Sequence, residues 1–398
     1  MTAPRGRRAL VLVIDACGAG ALPDAASYGD EGTNTLAHVA EAVGGLRMPT
    51  LEMLGLGSIM EIAGVAPAKD PAIHGRLHPL GAGKDSVSGH WELMGVSMRE
   101  PLPTFPGGFP PRVIERLVAA MGHEVICNRP DNGLAAIDEF GSEHLRTGAL
   151  ILYTSQDSVL QLAAHVDRVP VRELYRACAA ARATMSGADG VGRVIARPFT
   201  GVAGAFKRTE GRRDLALEPP GRSYLQALQD AGVTVHGVGK IEDLFAGVGV
   251  SESWPGATNA KALDSVDELL AAGAEGLIFA NLIETDQVYG HRKDVEGFAG
   301  ALYEIDARVG RMLERLDAGD LLIVTADHGV DPRHPGTDHT REHAPLLAVT
   351  GEMLARRDGG GLLEGARHDG PLADVGATVL SWLAGEQEQA LPGSAFVS

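Results

Sequence analysis

The stretch Asp320-Leu-Leu-Ile-Val-Thr-Ala-Asp-His-Gly329 constrains this chain more than any other. Leu321 to Thr325, five apolar or β-branched residues in a row, predict a buried strand, with Ala326 to Gly329 as its C-terminal turn. Eleven residues beyond His328 comes His339, inside Gly336-Thr-Asp-His-Thr-Arg341. In open α/β sheets, ligands bind just past the carboxyl ends of the strands. A carboxylate and two imidazoles delivered there are candidate metal ligands.

The same pattern recurs along the chain. Arg8 to Ile14 predicts a first buried strand ending on Asp15, followed by the glycine-bearing turn Ala16-Cys-Gly-Ala-Gly20. Taken alone, Asp15 reads equally well as a ligand or as a helix cap. Gly81-Ala-Gly-Lys-Asp-Ser-Val-Ser-Gly-His-Trp-Glu92 predicts a loop presenting a hydroxyl and backbone N–H groups before a helix, or simply a turn with a cap. It lacks the Walker A spacing. The Pro/Gly-rich patch 101–111 marks a domain boundary. Helix 112–121, strands 123–127 and 149–154, helix 171–186 and strand 192–197 then predict a second α/β unit. The charged tract 208–220 reads as the return linker. Helix 221–230, strand 233–238, helix 262–271 and strand 276–283 resume a parallel sheet flanked by helices, and helix 294–316, strands 321–325 and 345–349 and helix 372–384 finish the chain. Strand 276–283 runs into Glu284-Thr-Asp-Gln-Val-Tyr-Gly-His291, a second carboxylate and imidazole at a strand end.

A length of 398 residues fits two domains, or one large domain with an insertion. The formal charge of −17, with no basic stripe, argues against a nucleic-acid partner. Cys17, Cys127 and Cys178 match no zinc spacing and fit a reducing, cytoplasmic setting. No apolar run approaches a membrane span, and the short run after Arg5, Arg7 and Arg8 is broken by Asp15, which favours a core strand over a signal peptide.

Asp15, Asp286, His291, Asp327, His328 and His339 supply three carboxylates and three imidazoles, enough for two divalent ions. Mixed N/O donors suit manganese or zinc better than calcium. Two such ions about 3.5–4 Å apart stabilise an in-line displacement at phosphorus. With a phosphorylated hydroxyl the charges sum to about −1; without metal, three carboxylates would crowd together at a cost.

These residues resemble the bacterial phosphopentomutase family of the alkaline phosphatase superfamily. The resemblance runs through Val13-Ile-Asp15, Lys84-Asp-Ser-Val-Ser-Gly-His-Trp-Glu92, Tyr153-Thr-Ser-Gln-Asp-Ser-Val159 and Val191 to Phe199. It continues through Gly239 to Phe245, Gly290-His-Arg-Lys-Asp294, Ala326 to Gly329 and Gly336 to Glu342. It implies an alkaline-phosphatase-like core with a mainly parallel sheet, 1–100 and 218–398, carrying an inserted α/β cap, 101–217. It implies that Asp15, Asp327 and His328 hold one manganese and that Asp286, His291 and His339 hold the other, zinc or magnesium being possible substitutes. Ser86 would be the phosphorylated residue bridging both. Asp157, Arg193 and Arg208 in the cap, and Lys240 in the core, would contact the sugar phosphate. Forked guanidiniums suit phosphate, although Arg208, in its charged tract, also reads as a solvated linker residue.

The implied activity interconverts ribose 1-phosphate and ribose 5-phosphate, and the 2-deoxy pair, through phosphoserine and a bisphosphate, with glucose 1,6-bisphosphate as activator. The cap would close to exclude water. Small-molecule sugar phosphates are the expected partners of a monomer or weak homo-oligomer. The chain departs from the family in having Ser86 and Ser88 where Thr is usual, Val330 where Asn is common and Glu284 where Asp is common. Rival readings are a metal-dependent phosphatase, a phosphomutase for another sugar phosphate, and a catalytically silent metal-binding protein.

Overall fold

A computed structural model describes residues 6–155, 158–358, 363 and 365–398. Contacts divide the chain into two units, one formed by Met1–Pro101 with Pro219–Ser398 and the other by Leu102–Glu218.

The first unit is built on the apolar runs. Arg8–Ile14, Gly276–Leu282, Asp320–Thr325 and Ala344–Thr350 are strands whose every residue is buried, as expected of strands covered on both faces. Arg8–Ile14 is central and parallel to both neighbours, with Ile14 opposite Leu282 and Val13 opposite Thr325. The three strands therefore end in line, and the residues that follow each emerge along one edge. Glu252–Trp254 and Val235–Val238 extend the parallel side. Ala344–Thr350 is antiparallel to both Asp320–Thr325 and Ile73–His78, and Gly370–Pro371 pairs parallel to the latter. The sheet is thus eight-stranded and mainly parallel.

Helix Val295–Leu313 buries Phe298, Leu302, Ile305, Val309 and Met312 at helical spacing. Its buried Asp306 accepts hydrogen bonds from the backbone of Leu51 (2.8 Å) and Thr50 (3.3 Å), at the start of helix Pro49–Leu54. That carboxylate satisfies N–H groups a helix start leaves free.

The second unit has a sheet in the order Val125–Pro130, Leu150–Thr154, Val159–His165, Arg193–Thr200, Lys207–Arg208. One face packs Leu150, Leu160, Leu162 and Val194 against helices Pro111–Met121 and Val171–Thr184. The other packs Ile151, Tyr153 and Phe199 against Ile137 of helix Gly133–Thr147.

The structure corrects one expectation and adds elements the sequence did not suggest. The tract 208–220 is more than a linker: Lys207–Arg208 and Arg213–Ala216 both pair antiparallel with Arg193–Thr200. Charged residues are typical of a sheet edge, so an edge strand can look like solvated linker. Helix Gly133–Thr147 was not anticipated. Its mid-helix Gly141 is penalised by propensity, yet a Cβ there would lie 2.4 Å from the Phe206 ring, so the packing needs glycine. Strands Ile73–His78 and Val159–His165 were also missed.

Candidate metal centre

The edge where the three central strands of the first unit end gathers the acidic candidates. Asp15 follows Ile14 directly; Ala16 takes a left-handed conformation (φ 61°) and donates its N–H to Asp327 Oδ1 (3.1 Å). Asp286 lies on a π-helical turn, Thr285–Tyr289, and His291 on the 3-10 turn Gly290–Arg292 that follows it. π-turns of this kind are frequent at functional sites. His339 returns on the segment bridged to Gly329 through Thr340.

Two clusters result. Ligand-capable atoms of Asp15, Asp327 and His328 lie within 4.8 Å of one another, and so do those of Asp286, His328 and His339. His328 Nε2 is 3.3 Å from Asp15 Oδ1 and 3.4 Å from Asp327 Oδ2. His291 Nε2 and His339 Nε2 are each 3.3 Å from Asp286 Oδ1. The His328 Nδ1 contact with the Gly329 carbonyl (3.0 Å) fixes the ring with Nε2 inward, and His291 Nδ1 is held likewise by the Thr337 carbonyl (2.6 Å).

Ser86 is the first residue of helix Ser86–Leu93, capped by Asp85, whose side chain accepts from the N–H groups of Val87 and Ser88. Its Oγ donates to Asp15 Oδ1 (3.2 Å) and lies 3.1 Å from His328 Nε2. The hydroxyl thus stands at the helix N-terminus, where an anion is favoured.

The electrostatics match a cation site. Burial, then the neighbouring Asp327 carboxylate, raises the Asp15 carboxyl above its usual range. Burial alone would also raise Asp327, but His328 and His90 hold it at about 2. Asp286 is likewise penalised by burial, yet His291 and His339 keep it well below the carboxylate range. Burial disfavours charge on His328, and Asp327 and Asp15 overcome that to hold its proton well above the ordinary value. Asp286 Oδ1, Asp327 Oδ2 and His339 Nε2 are buried in ion-pair contact with neighbouring side chains but make no well-aligned hydrogen bond. Buried polar atoms are usually hydrogen-bonded, and these are oxygen and imidazole donors converging on one place. They fit divalent cations.

Two residues touching the centre escaped the sequence reading. Asn281, fully buried, donates Nδ2 to Asp15 Oδ2 (2.9 Å); an amide inside an otherwise apolar strand was the signal. His90 donates Nδ1 to the Ser86 carbonyl (2.8 Å) and lies 3.1 Å from Asp327 Oδ2. Among the departures, Glu284 accepts from the Asn259 backbone (2.7 Å), and Val330 packs on Gly290, where a Cβ would lie 2.4 Å from it.

The residues expected to contact the sugar phosphate belong to both units. Lys240 caps the short helix Ile241–Leu244 and lines a cavity of about 430 Å³ with Asp243, Trp254 and Gly256. Arg193 and Arg208 belong to the second unit, where Arg193 Nη1 is 3.9 Å from Asp214 Oδ2. Arg208 is exposed on its two-residue strand. Asp157 lies outside the described residues.

Comparison with known proteins follows the same lines. A family profile described as the metalloenzyme superfamily matches residues 7–387. The phosphopentomutase of Caldanaerobacter subterraneus subsp. tengcongensis is 47% identical over 353 residues, covering 88% of this chain and 90% of its own. That of Anaeromyxobacter sp. (strain K) is 48% identical over 378 residues, covering 94% and 95%. Among solved structures, the phosphoglycerate mutase of Leishmania mexicana aligns with a TM-score of 0.50 at 13% identity, across 99% of this chain and 98% of that one. This last likeness is one of fold.

Proposed function

The chain belongs to the phosphopentomutase family of the metalloenzyme superfamily, a family of isomerases with an alkaline-phosphatase-like fold, and from that we propose that it interconverts ribose 1-phosphate and ribose 5-phosphate, and the 2-deoxy pair, through phosphorylated Ser86. One observation carries the mechanistic part: Ser86 Oγ stands 3.2 Å from Asp15 and 3.1 Å from His328, where the two ligand clusters meet.

Asp15, Asp327 and His328 would hold one cation, and Asp286, His291 and His339 the other. Divalent ions there, manganese by the family resemblance, with zinc or magnesium as possible substitutes, would supply Lewis acidity toward phosphoryl oxygens. Helix Ser86–Leu93 presents Oγ at its positive end. In the forward step the free hydroxyl of the sugar phosphate attacks phosphorus, the bond from phosphorus to Ser86 Oγ breaks, and the hydroxyl proton is balanced on Oγ. The resulting bisphosphate presents its other phosphoryl group. Ser86 Oγ then attacks that phosphorus, the bond from phosphorus to the sugar oxygen breaks, and the Oγ proton ends on that oxygen, releasing the isomeric monophosphate and restoring phosphoserine. Glucose 1,6-bisphosphate would prime Ser86 by the same transfer. We assign Lys240, Arg193, Arg208 and Asp157 to sugar-phosphate binding, and to the second unit the role of cap.

The test is phosphorus NMR of ribose 5-phosphate with the protein, manganese and a trace of glucose 1,6-bisphosphate, beside Ser86→Ala. Ribose 1-phosphate should appear with the native protein and not with the variant. Inorganic phosphate without ribose 1-phosphate would make the protein a hydrolase instead.

A further inference from the structure

The motif Gly336 to Glu342 ends in two buried charged side chains that the transfer chemistry leaves unused: Arg341 is 5% exposed and Glu342 3%. Both reach away from His339 to other parts of the centre. Arg341 donates Nη1 to the Gly83 carbonyl (2.8 Å) and Nη2 to the Gly81 carbonyl (2.9 Å). Its guanidinium is oriented by Asp24 (3.0 Å) and lies 4.8 Å from the Tyr28 ring centre. Its backbone N–H donates to Asp30 Oδ2 (2.8 Å), which also accepts from Lys84 Nζ (2.9 Å). The loop leading into Ser86 is therefore held at two of its carbonyls by Arg341 and at Lys84 by Asp30. A planar fork can span two carbonyls in fixed directions, which a single ammonium cannot.

Glu342 grips the metal-bearing turns. Its Oε2 accepts from the N–H groups of Gly20 (3.2 Å) and Thr35 (2.9 Å), and its Oε1 from the hydroxyls of Thr35 and Thr340 (both 2.7 Å). A Cβ on Gly18 would lie 2.4 Å from Oε2, and one on Gly329 2.4 Å from Oε1. The carboxylate is wedged between the turn after Asp15 and the turn after His328. Backbone bonds tie the same segment on both sides: His343 N–H to the Gly20 carbonyl (2.8 Å) and Thr340 N–H to the Gly329 carbonyl (2.8 Å).

We propose that Arg341 and Glu342 are positioning residues with separate tasks: Arg341 aims Ser86 by fixing loop 81–84, and Glu342 holds the turns of Asp15 and of Asp327–His328 in register with His339. This rests on the reading of Ser86 as nucleophile and of these residues as ligands. A misplacement of about 1 Å at a reacting group costs on the order of 10²-fold in rate. Loss of a group that orients ligands costs roughly 10- to 100-fold in metal affinity.

The experiment compares native protein with Arg341→Lys and Glu342→Gln. It uses manganese titration calorimetry, steady-state kinetics on ribose 5-phosphate, and amide exchange of segment 80–86. Arg341→Lys should keep manganese affinity and KM within about twofold, lose roughly 10- to 100-fold in kcat, and exchange faster at 80–86. Glu342→Gln should bind manganese roughly 10- to 100-fold more weakly and recover kcat at saturating manganese. Asp24→Asn, at an exposed carboxylate, and Thr340→Val, which removes one donor to Glu342, should shift in the same respective directions by less. They serve if a main variant does not fold. Unchanged kcat in Arg341→Lys, or equal losses of manganese affinity in both main variants, overturns the division of tasks. A native protein without isomerase activity would remove the functional reading, while calorimetry and exchange, which need no turnover, still judge the positioning.

Discussion

Gly89 presses on the backbone of Asp327 more closely than any side chain allows: a Cβ on Gly89 would lie 2.5 Å from the Asp327 carbonyl oxygen and 2.8 Å from its Cβ. Gly89 lies one turn beyond Ser86 on the same helix, so this contact sets how near the hydroxyl comes to the Asp327 turn. Gly89→Ala must push the helix back or spread the turn. Overpacking of this kind costs about 1–3 kcal/mol in stability, whereas a shift of about 1 Å at Ser86 costs on the order of 10²-fold in kcat. A kinetic assay beside a thermal melt checks the asymmetry; turnover within twofold of native would show that the helix spacing is not critical.

Asn281 donates its side-chain amide to the Asp15 carboxylate, and both side chains are buried. Asn281→Leu keeps the branched outline of the side chain and removes the donor that orients Asp15. Manganese affinity should fall roughly 10- to 100-fold, measured by calorimetry on metal-free protein. An unchanged dissociation constant would mean that Asp15 is held well enough by its backbone.

His343 gives an acid-side expectation away from the metal ligands. Burial, reinforced by nearby Arg76, pushes its imidazole down to about 4 from an ordinary 6.5. The unfolded chain therefore takes up this proton first as pH falls, so stability is complete above about 6.5 and drains as pH drops toward 4. His343→Leu removes that loss. The melting temperature of the variant should rise relative to native between pH 6.5 and 4, and parallel curves would contradict the assignment.

What the sequence made legible follows from physical range. Strands 8–14, 276–282 and 320–325 announce themselves because burial on both faces demands unbroken apolar runs. The polar residues ending each run stand out for the same reason, which is how Asp15, Asp286 and Asp327 could be grouped. Helix Gly133–Thr147 stayed hidden because the close approach of Gly141 to Phe206 is a tertiary matter. The roles of Arg341 and Glu342 were unreadable because their partners at Gly81, Gly83, Gly20 and Thr35 lie hundreds of residues away. Asp157, read from the resemblance alone, falls outside the described residues.

Cation binding should be coupled to proton release, and the sign follows from His328. Burial would lower its pKa, but the carboxylates of Asp327, Asp15 and Asp286 hold it well above 6.5 in the metal-free protein. The raised value favours the protonated imidazole in the metal-free protein, and it must lose that proton to become a ligand. Manganese affinity should climb with pH until the raised His328 value is passed, with proton release on binding. A raised folded pKa also stabilises the metal-free fold below the unfolded value, and that contribution is lost as pH rises through the folded one. The melting temperature under chelator should accordingly fall on the alkaline side, and saturating manganese should remove the trend. Calorimetry in buffers of different ionisation enthalpy reads the proton directly. Identical apparent enthalpies in all buffers would mean that the positive charge among these carboxylates is not carried by His328.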